Sequence, residues 1–269
     1  MASRTIIITG AASSLGRSVA IRFSKTSDKL LLTDQDRERG EAVCQEVIAK
    51  GGEATFIAAD LHEALDVHNV MAEAIDSYGK VDVLVHTAHH YASAPLLETS
   101  EQDFDAVMDG NVRAAFLINK AVARQLIRQA GEVAEAGVEE ARGGAIVNVV
   151  SNEAVTVDPD SAIFAASQGA VVQLTKAVAM TLSPYGARAN AVAVSGVKGT
   201  HSEAQVVTAE QRKESADATP LGRRGEPKEV ASAIHFLSAP DASFITGQML
   251  IVDGGRLTLS KAASADSDA

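Results

Sequence analysis

The sequence predicts an α/β domain built on a doubly wound parallel sheet. Short apolar runs alternate with longer amphipathic stretches along nearly the whole chain. The runs are continuously apolar, as strands buried on both faces are. A glycine-rich turn, Thr9-Gly10-Ala11-Ala12-Ser13-Ser14-Leu15-Gly16, joins the first run to the first amphipathic stretch. Strands alternating with helices imply right-handed crossovers, and hence helices on both faces of the sheet.

Taken in order, Thr5–Thr9 reads as a buried strand and Leu15–Ser24 as a helix with Val19, Ala20 and Phe23 on one side. Leu30–Thr33 is a second strand, ended by Asp34, and Arg37–Lys50 a helix stopped by Gly51-Gly52. Ala54–Ala58 is the third strand, and Ala64–Tyr78 a helix closed by Gly79. Val81–Val85 is the fourth strand, followed by helical stretches near Glu101–Val112 and Ala114–Ala130. Ala145–Val150, Ala189–Val194 and Met249–Val252 complete seven strands, with helices over Ile163–Leu182 and Pro227–Leu237. Three segments break the rhythm. Gly131–Arg142 is small and acidic, and extends the preceding helix or forms a surface loop. Thr200–Thr219 is polar and reads as a mobile lid. Ser260–Ala269 reads as a disordered tail, so residues 1–256 form the domain and 257–269 a flexible end.

Composition narrows the function classes. Of 269 residues, 46% are hydrophobic and 22% charged, which excludes disorder of the whole chain. A net charge of −11 with no basic run makes nucleic acid and anionic membranes poor partners. Cys44 is the only cysteine, so an intrachain disulfide and a cysteine metal cage are both excluded. No apolar run reaches the roughly 18 residues of a membrane span. The apolar run after Met1-Ala2-Ser3-Arg4 is too short for a signal peptide, and a cytoplasmic protein is expected.

The glycine-rich turn points to a dinucleotide. Gly10 permits a tight turn, and Gly16 permits close approach of helix and sheet. Ser13, Ser14 and Leu15 bring backbone N–H groups and the positive end of a helix dipole to a pyrophosphate. Asp34, ending the second strand, can accept hydrogen bonds from an adenosine ribose diol and would repel a 2′-phosphate. That favours NAD over NADP. The plainer alternative is a simple connection, with Asp34 serving the next helix.

With these residues in place, the sequence resembles the short-chain dehydrogenase/reductase family over about residues 4–255. The matches are the TGAASSLG turn, Ala59-Asp60-Leu61 after the third strand, VDVLV followed by Ala88, and Asn111 in the middle helix. Others are GAIVNVVS ending at Ser151, PYGARANAVA at Pro184–Ala193, and the block from Pro220 to Gly255. The resemblance implies a single Rossmann-type domain with an adenine-side carboxylate at Asp60, beside Leu61, and with Ala88 near the ribose. It also implies a dimer or tetramer, whose interfaces would be the helices over 101–130 and 160–183 and the last-strand region.

The resemblance also locates departures. The family's reductases use a Tyr as acid/base and a Lys four residues later, with a Ser on the substrate oxygen and an Asn supporting a water relay. Ser151 and Asn111 match the Ser and Asn, but Phe164 and Gln168 stand where Tyr and Lys are expected. Phe has no proton to exchange, and Gln has no charge with which to depress a neighbour's pKa. Ser14 replaces a turn glycine. His86-Thr87-Ala88-His89 replaces Asn-Asn-Ala-Gly, and Ser195-Gly196 replaces Pro-Gly.

His86, His89, His90 and Tyr91 admit three readings: a polar loop, a new acid/base supplied by His89, His90 or Tyr91, or a metal site. The spacing matches no zinc pattern, and no metal is assigned. His62, His68, His201 and His235 receive no role, and Phe104, Phe116 and Phe164 are expected to fill helix contacts. The preferred expectation is a non-catalytic subunit, or a nucleotide-responsive binding protein, partnered by itself or by an intact relative. The alternative is an NAD(H)-dependent oxidoreductase of carbonyls or alcohols with relocated acid/base groups. A cofactor-free lyase or dehalogenase fits less well, because family members of that kind keep the Tyr.

Overall fold

The computed structural model describes residues 3–135, 143–200 and 208–258. Seven parallel strands form one sheet: β1 (Thr5–Thr9), β2 (Lys29–Asp34), β3 (Glu53–Ala58), β4 (Val83–His86), β5 (Ala145–Ser151), β6 (Arg188–Val194) and β7 (Met249–Val252). Their spatial order is β3-β2-β1-β4-β5-β6-β7. The helices are α1 (Ser14–Phe23), α2 (Arg37–Ala49), α3 (Ala64–Tyr78), α4 (Glu101–Val107), α5 (Ala114–Glu135), α6 (Ala162–Leu182), α7 (Ala209–Asp217) and α8 (Pro227–Ser238). The fold class and all seven strands are as the sequence predicts.

Side-chain alternation explains why the strands are apolar throughout. Ile6 and Ile8 join Leu30, Leu32, Val85 and Val147 in a core with Phe23 of α1 and Ile234 of α8. Ile7 points the other way, joining Leu31, Leu84 and Ile146 in a core with Val70 of α3, Ile118 of α5 and Leu182 of α6. The central strands feed cores on both faces, so their side chains are mostly apolar, and the buried exceptions Asn148 and Asn190 are hydrogen-bonded within the protein.

Some elements differ from expectation, for local reasons. β4 starts at Val83 because the Gln129 side chain takes both backbone groups of Val81, at 2.9 and 2.7 Å. A π-helical turn, Met108–Arg113, separates α4 from α5 and carries the buried Asn111. The polar stretch 200–219 holds α7, started by a capping box between Thr208 and Gln211. The lid expectation for 201–207, the stretch 136–142 and the tail 259–269 fall outside the described residues, while α5 does extend to Glu135. Phe164 is buried as expected, but Phe104 and Phe116 are about half exposed. Residues 162–185 have the length and mean hydropathy, 1.2, of a membrane span, which run-counting misses because polar residues interrupt them. Half of that window is buried, and α6 packs against β5 and β6 as a core helix.

Arg188 ties the β6 edge together. Its guanidinium donates to the carbonyls of Leu237 and Ile245 at 2.8 and 3.2 Å, and to that of Ala239 at 3.1 Å. Arg188→Met removes these charge-assisted bonds and strands their acceptors, and should cost about 3 kcal/mol of stability in urea unfolding.

Candidate functional site

The site follows from the strand order. The sheet reverses direction of growth between β1 and β4, where Thr9 pairs with His86, so the loops leaving these strands diverge and open a crevice. A cleft of about 710 Å³ lies there. The sequence brings Gly10, Ser13, Ser14, Leu15, Asp34, Asp60, Leu61 and Ala88 to it, and all of them line it.

The turn before α1 fits only if it is small. Gly10 has φ +67°, and a side chain there would meet Ala88 N at 2.7 Å. A Cβ on Gly16 would stand 2.1 Å from the Gly10 carbonyl oxygen, so α1 starts flush against the turn. Ser13 caps α1, its Oγ accepting from Gly16 N at 3.0 Å. The first turn of α1 carries no acidic residue, leaving its positive end uncompensated. The exposed Ser14 packs its hydroxyl towards Gly199 across the cleft.

Asp34 is held by backbone. Its carboxylate accepts from Ala12 N at 2.9 Å and Asp36 N at 3.0 Å, which orients it and leaves lone pairs for a ligand. At the far side of this end, Asp60 meets His62 Nδ1 at 2.6 Å. His62 and Arg39 both line the cleft, and sequence reading gave neither a role. Arg39 pairs with Asp36 at 2.6 Å, three residues away on the first turn of α2, and the signal for it was that spacing from the N-cap.

A buried aromatic cluster adjoins the cleft at His89. Phe164 is fully buried, with the Tyr91 ring edge-on at 4.9 Å and the His89 ring at 6.2 Å. The Gln168 side-chain oxygen accepts from Ser151 N at 2.9 Å, and the Ser151 hydroxyl accepts from Glu153 N at 3.2 Å. Asn111 is consumed by a bidentate bond to the His90 backbone, 2.6 Å from N and 2.9 Å to O, and by a bond to Ser167. Ser151, Asn111, Phe164 and Gln168 are thus brought close together, yet none of them lines the cleft.

Two titratable groups stand out here. His86 is buried in β4, its Nδ1 2.8 Å from the Thr9 hydroxyl, and burial together with His89 pushes its pKa down to about 4. His89 keeps an exposed edge on the cleft, but burial of the ring among its neighbours holds its pKa below the ordinary imidazole value, against the bond to the Thr87 carbonyl. Glu153, bonded to Ser161, was missed by sequence reading; desolvation pushes its carboxyl up. Among the described residues no group of three or more potential ligands gathers for a metal.

Comparison with known proteins agrees with this architecture. The profile of a family described as "Enoyl-(Acyl carrier protein) reductase" matches residues 10–256. The chain belongs to the short-chain dehydrogenase/reductase family. It is 31% identical over 256 residues to an uncharacterized oxidoreductase of Thermotoga maritima, covering 94% of this chain and 96% of that one. It is 32% identical over 257 residues to a 3-oxoacyl-[acyl-carrier-protein] reductase of Synechocystis sp., covering 95% and 97%. A crystal structure of a dehydrogenase/reductase from Sinorhizobium meliloti superimposes with a TM-score of 0.84 at 30% identity, covering 95% and 96%. Members of the short-chain dehydrogenase/reductase family bind nicotinamide cofactors, and the end of the cleft around Gly10, Asp34 and Asp60 has the donors and acceptors for an adenosine diphosphate moiety.

The depressed pKa of His86 has a measurable consequence. An unfolded chain protonates this residue near its ordinary value of 6.5, whereas the folded chain resists until about pH 4. Stability is therefore full above pH 6.5 and lost as pH falls towards 4. His86→Asn should abolish about 2 kcal/mol of the stability lost between pH 7 and pH 5, read as a flatter pH dependence in urea unfolding.

Proposed function

We propose that this chain binds an adenine dinucleotide but does not itself transfer hydride. It acts as a nucleotide-responsive binding protein or as a non-catalytic subunit beside an intact relative, in the cytoplasm. The observation that carries this reading is the Phe164–Gln168 pair at the positions matching the family's Tyr and Lys. Phe164 is a buried hydrocarbon ring, and the Gln168 oxygen is turned to the Ser151 backbone. No proton can be held or moved at either side chain. General acid–base catalysis contributes about 10²–10⁴ in rate, and this chain lacks the groups that normally supply it.

A bound nicotinamide cofactor supplies a hydride acceptor or donor. On this chain the pyrophosphate would rest on the start of α1, at Ser13, Ser14 and Leu15, and the adenosine ribose on Asp34. Asp34, already fixed by two backbone N–H groups, favours a free diol over a phosphate, hence NAD over NADP. Assembly is supported by apolar surface on the expected interface elements: Phe104 on α4, Phe116 on α5 and Met180 on α6, with Leu250 and Ile251 on β7.

A second reading keeps catalysis and moves it. The Tyr91 and His89 rings reach the Phe164 ring, so a hydroxyl and a neutral imidazole lie beside the position the family's Tyr would occupy.

Turnover by the purified chain separates the two. With NADH or NAD and a panel of alcohols and carbonyls, 3-oxoacyl thioesters included, the rate should stay at least about a hundredfold below the ~10 s⁻¹ typical of enzymes. Robust turnover abolished by Tyr91→Phe or His89→Ala would establish the second reading instead. In calorimetry NAD should bind at least about tenfold more tightly than NADP, a difference of about 1.4 kcal/mol; equal affinities would remove the role given to Asp34.

A further inference from the structure

We infer that the outer face of α4 and α5 is a self-complementary interface, covered by a second copy of this chain packed antiparallel. The inference concerns the partner and stands apart from the nucleotide reading above. α4, the π-helical turn and α5 follow one another without a loop from Glu101 to Glu135. Glu101, Asp105 and Asp109 are exposed at every fourth residue of the first part, and Lys120, Arg124 and Arg128 at every fourth residue of the last. Such spacing follows one ridge of a helix. The ridge is therefore acidic at its start and basic at its end, in a chain whose net charge is −11.

This arrangement is unfavourable within one chain, because like charges four residues apart repel along both halves. Among the described residues none of the six is in an ion pair, whereas Arg17, Arg37 and Arg223 each find a carboxylate. Lys120 lies over the Phe116 ring instead, at 5.1 Å. A partner of opposite pattern relieves the repulsion, and the charges fix its direction and register. Antiparallel packing that sets Asp109 against Lys120 of the second copy also brings Asp105 to Arg124 and Glu101 to Arg128, because both rows step by four. The two-fold axis then falls between Arg113 and Phe116, and every pair occurs twice. Parallel packing in register would set acid against acid and base against base. An intact relative fits only if it carries the same segregated rows, whereas a second copy carries them by identity. Exposed pairs add little affinity one by one, but they set orientation and exclude wrong partners. Affinity comes from the half-exposed Phe104 and Phe116, with the exposed Met180 on the neighbouring α6.

Sedimentation velocity of the full-length chain at micromolar concentration tests this by charge reversal. The double variants Glu101→Lys/Asp105→Lys and Arg124→Glu/Arg128→Glu should each raise the dissociation constant of one association step by at least about tenfold. Asp109 also lines the cleft and is left intact. Mixing the two double variants should restore association, since every altered pair is again of opposite sign. The variant carrying all four changes swaps the charges within each pair, and should associate with itself as the wild type does. All four positions are exposed, and an unchanged circular dichroism spectrum checks that each variant folds. A wild-type chain that stays monomeric at micromolar concentration overturns the inference, as do double variants that keep wild-type affinity. Failure of both the mixture and the fourfold variant to associate overturns it too. Association of the wild type with an intact relative, but not with itself, overturns the inference while leaving the non-catalytic subunit reading in place.

Discussion

Burial of both faces of a parallel sheet constrains everything else in this molecule. A strand such as β1 contributes Ile6 and Ile8 to one core and Ile7 to the other, so its faces cannot carry functional groups. Chemistry is pushed to the strand ends, and only where neighbouring connections diverge is there room for a ligand. The contact between Thr9 and His86 marks that place. From it follow the tight turn at Gly10, the flush start of α1 at Gly16, and the position of Asp34 beside Ala12.

The two ends of the crevice solve opposite problems. Around Gly10 and Asp34, polar groups are held in place by backbone and still face the cleft, as Asp34 does. Around Phe164, Asn111 and Gln168 are given partners inside the protein. The π-helical turn exposes Asn111 to the His90 backbone, and Gln168 reaches Ser151. An unpartnered buried amide would cost about 1–3 kcal/mol, so these bonds stabilise the packing around Phe164.

Much of this is legible in the sequence, and the reasons are physical. Continuous apolar runs reported the strands, because a residue such as Leu31 must be apolar whichever core it enters. The turn glycines reported themselves through spacing, since close approach of backbones admits no other residue. What stayed hidden depends on side chains meeting across long separations. Gln129 shortening β4 at Val81 lies 48 residues away in the chain, and Asn111 meeting Ser167 lies 56 residues away. His62 and Arg39 entered the cleft through pairings with Asp60 and Asp36 that also read as ordinary surface ion pairs. Helix α7 lies in the stretch whose polar composition predicts a lid, because a polar helix gives no apolar stripe to detect.

Family membership fixes the scaffold but leaves the chemistry to the site. Phe164 and Gln168 illustrate why. A lysine ammonium only donates hydrogen bonds, so it could not accept from the Ser151 N–H as the Gln168 oxygen does. A tyrosine hydroxyl in place of the Phe164 ring edge would need a partner where Tyr91 and His89 now offer ring faces and edges. Each substitution is completed by its own surroundings, Gln by a backbone donor and Phe by aromatic packing. The pair therefore forms a satisfied piece of core, with polar groups paired and apolar surface covered. The Gln168–Ser151 bond also ties α6 to the end of β5, so the same side chain that completes the local core fixes how the helix sits on the sheet.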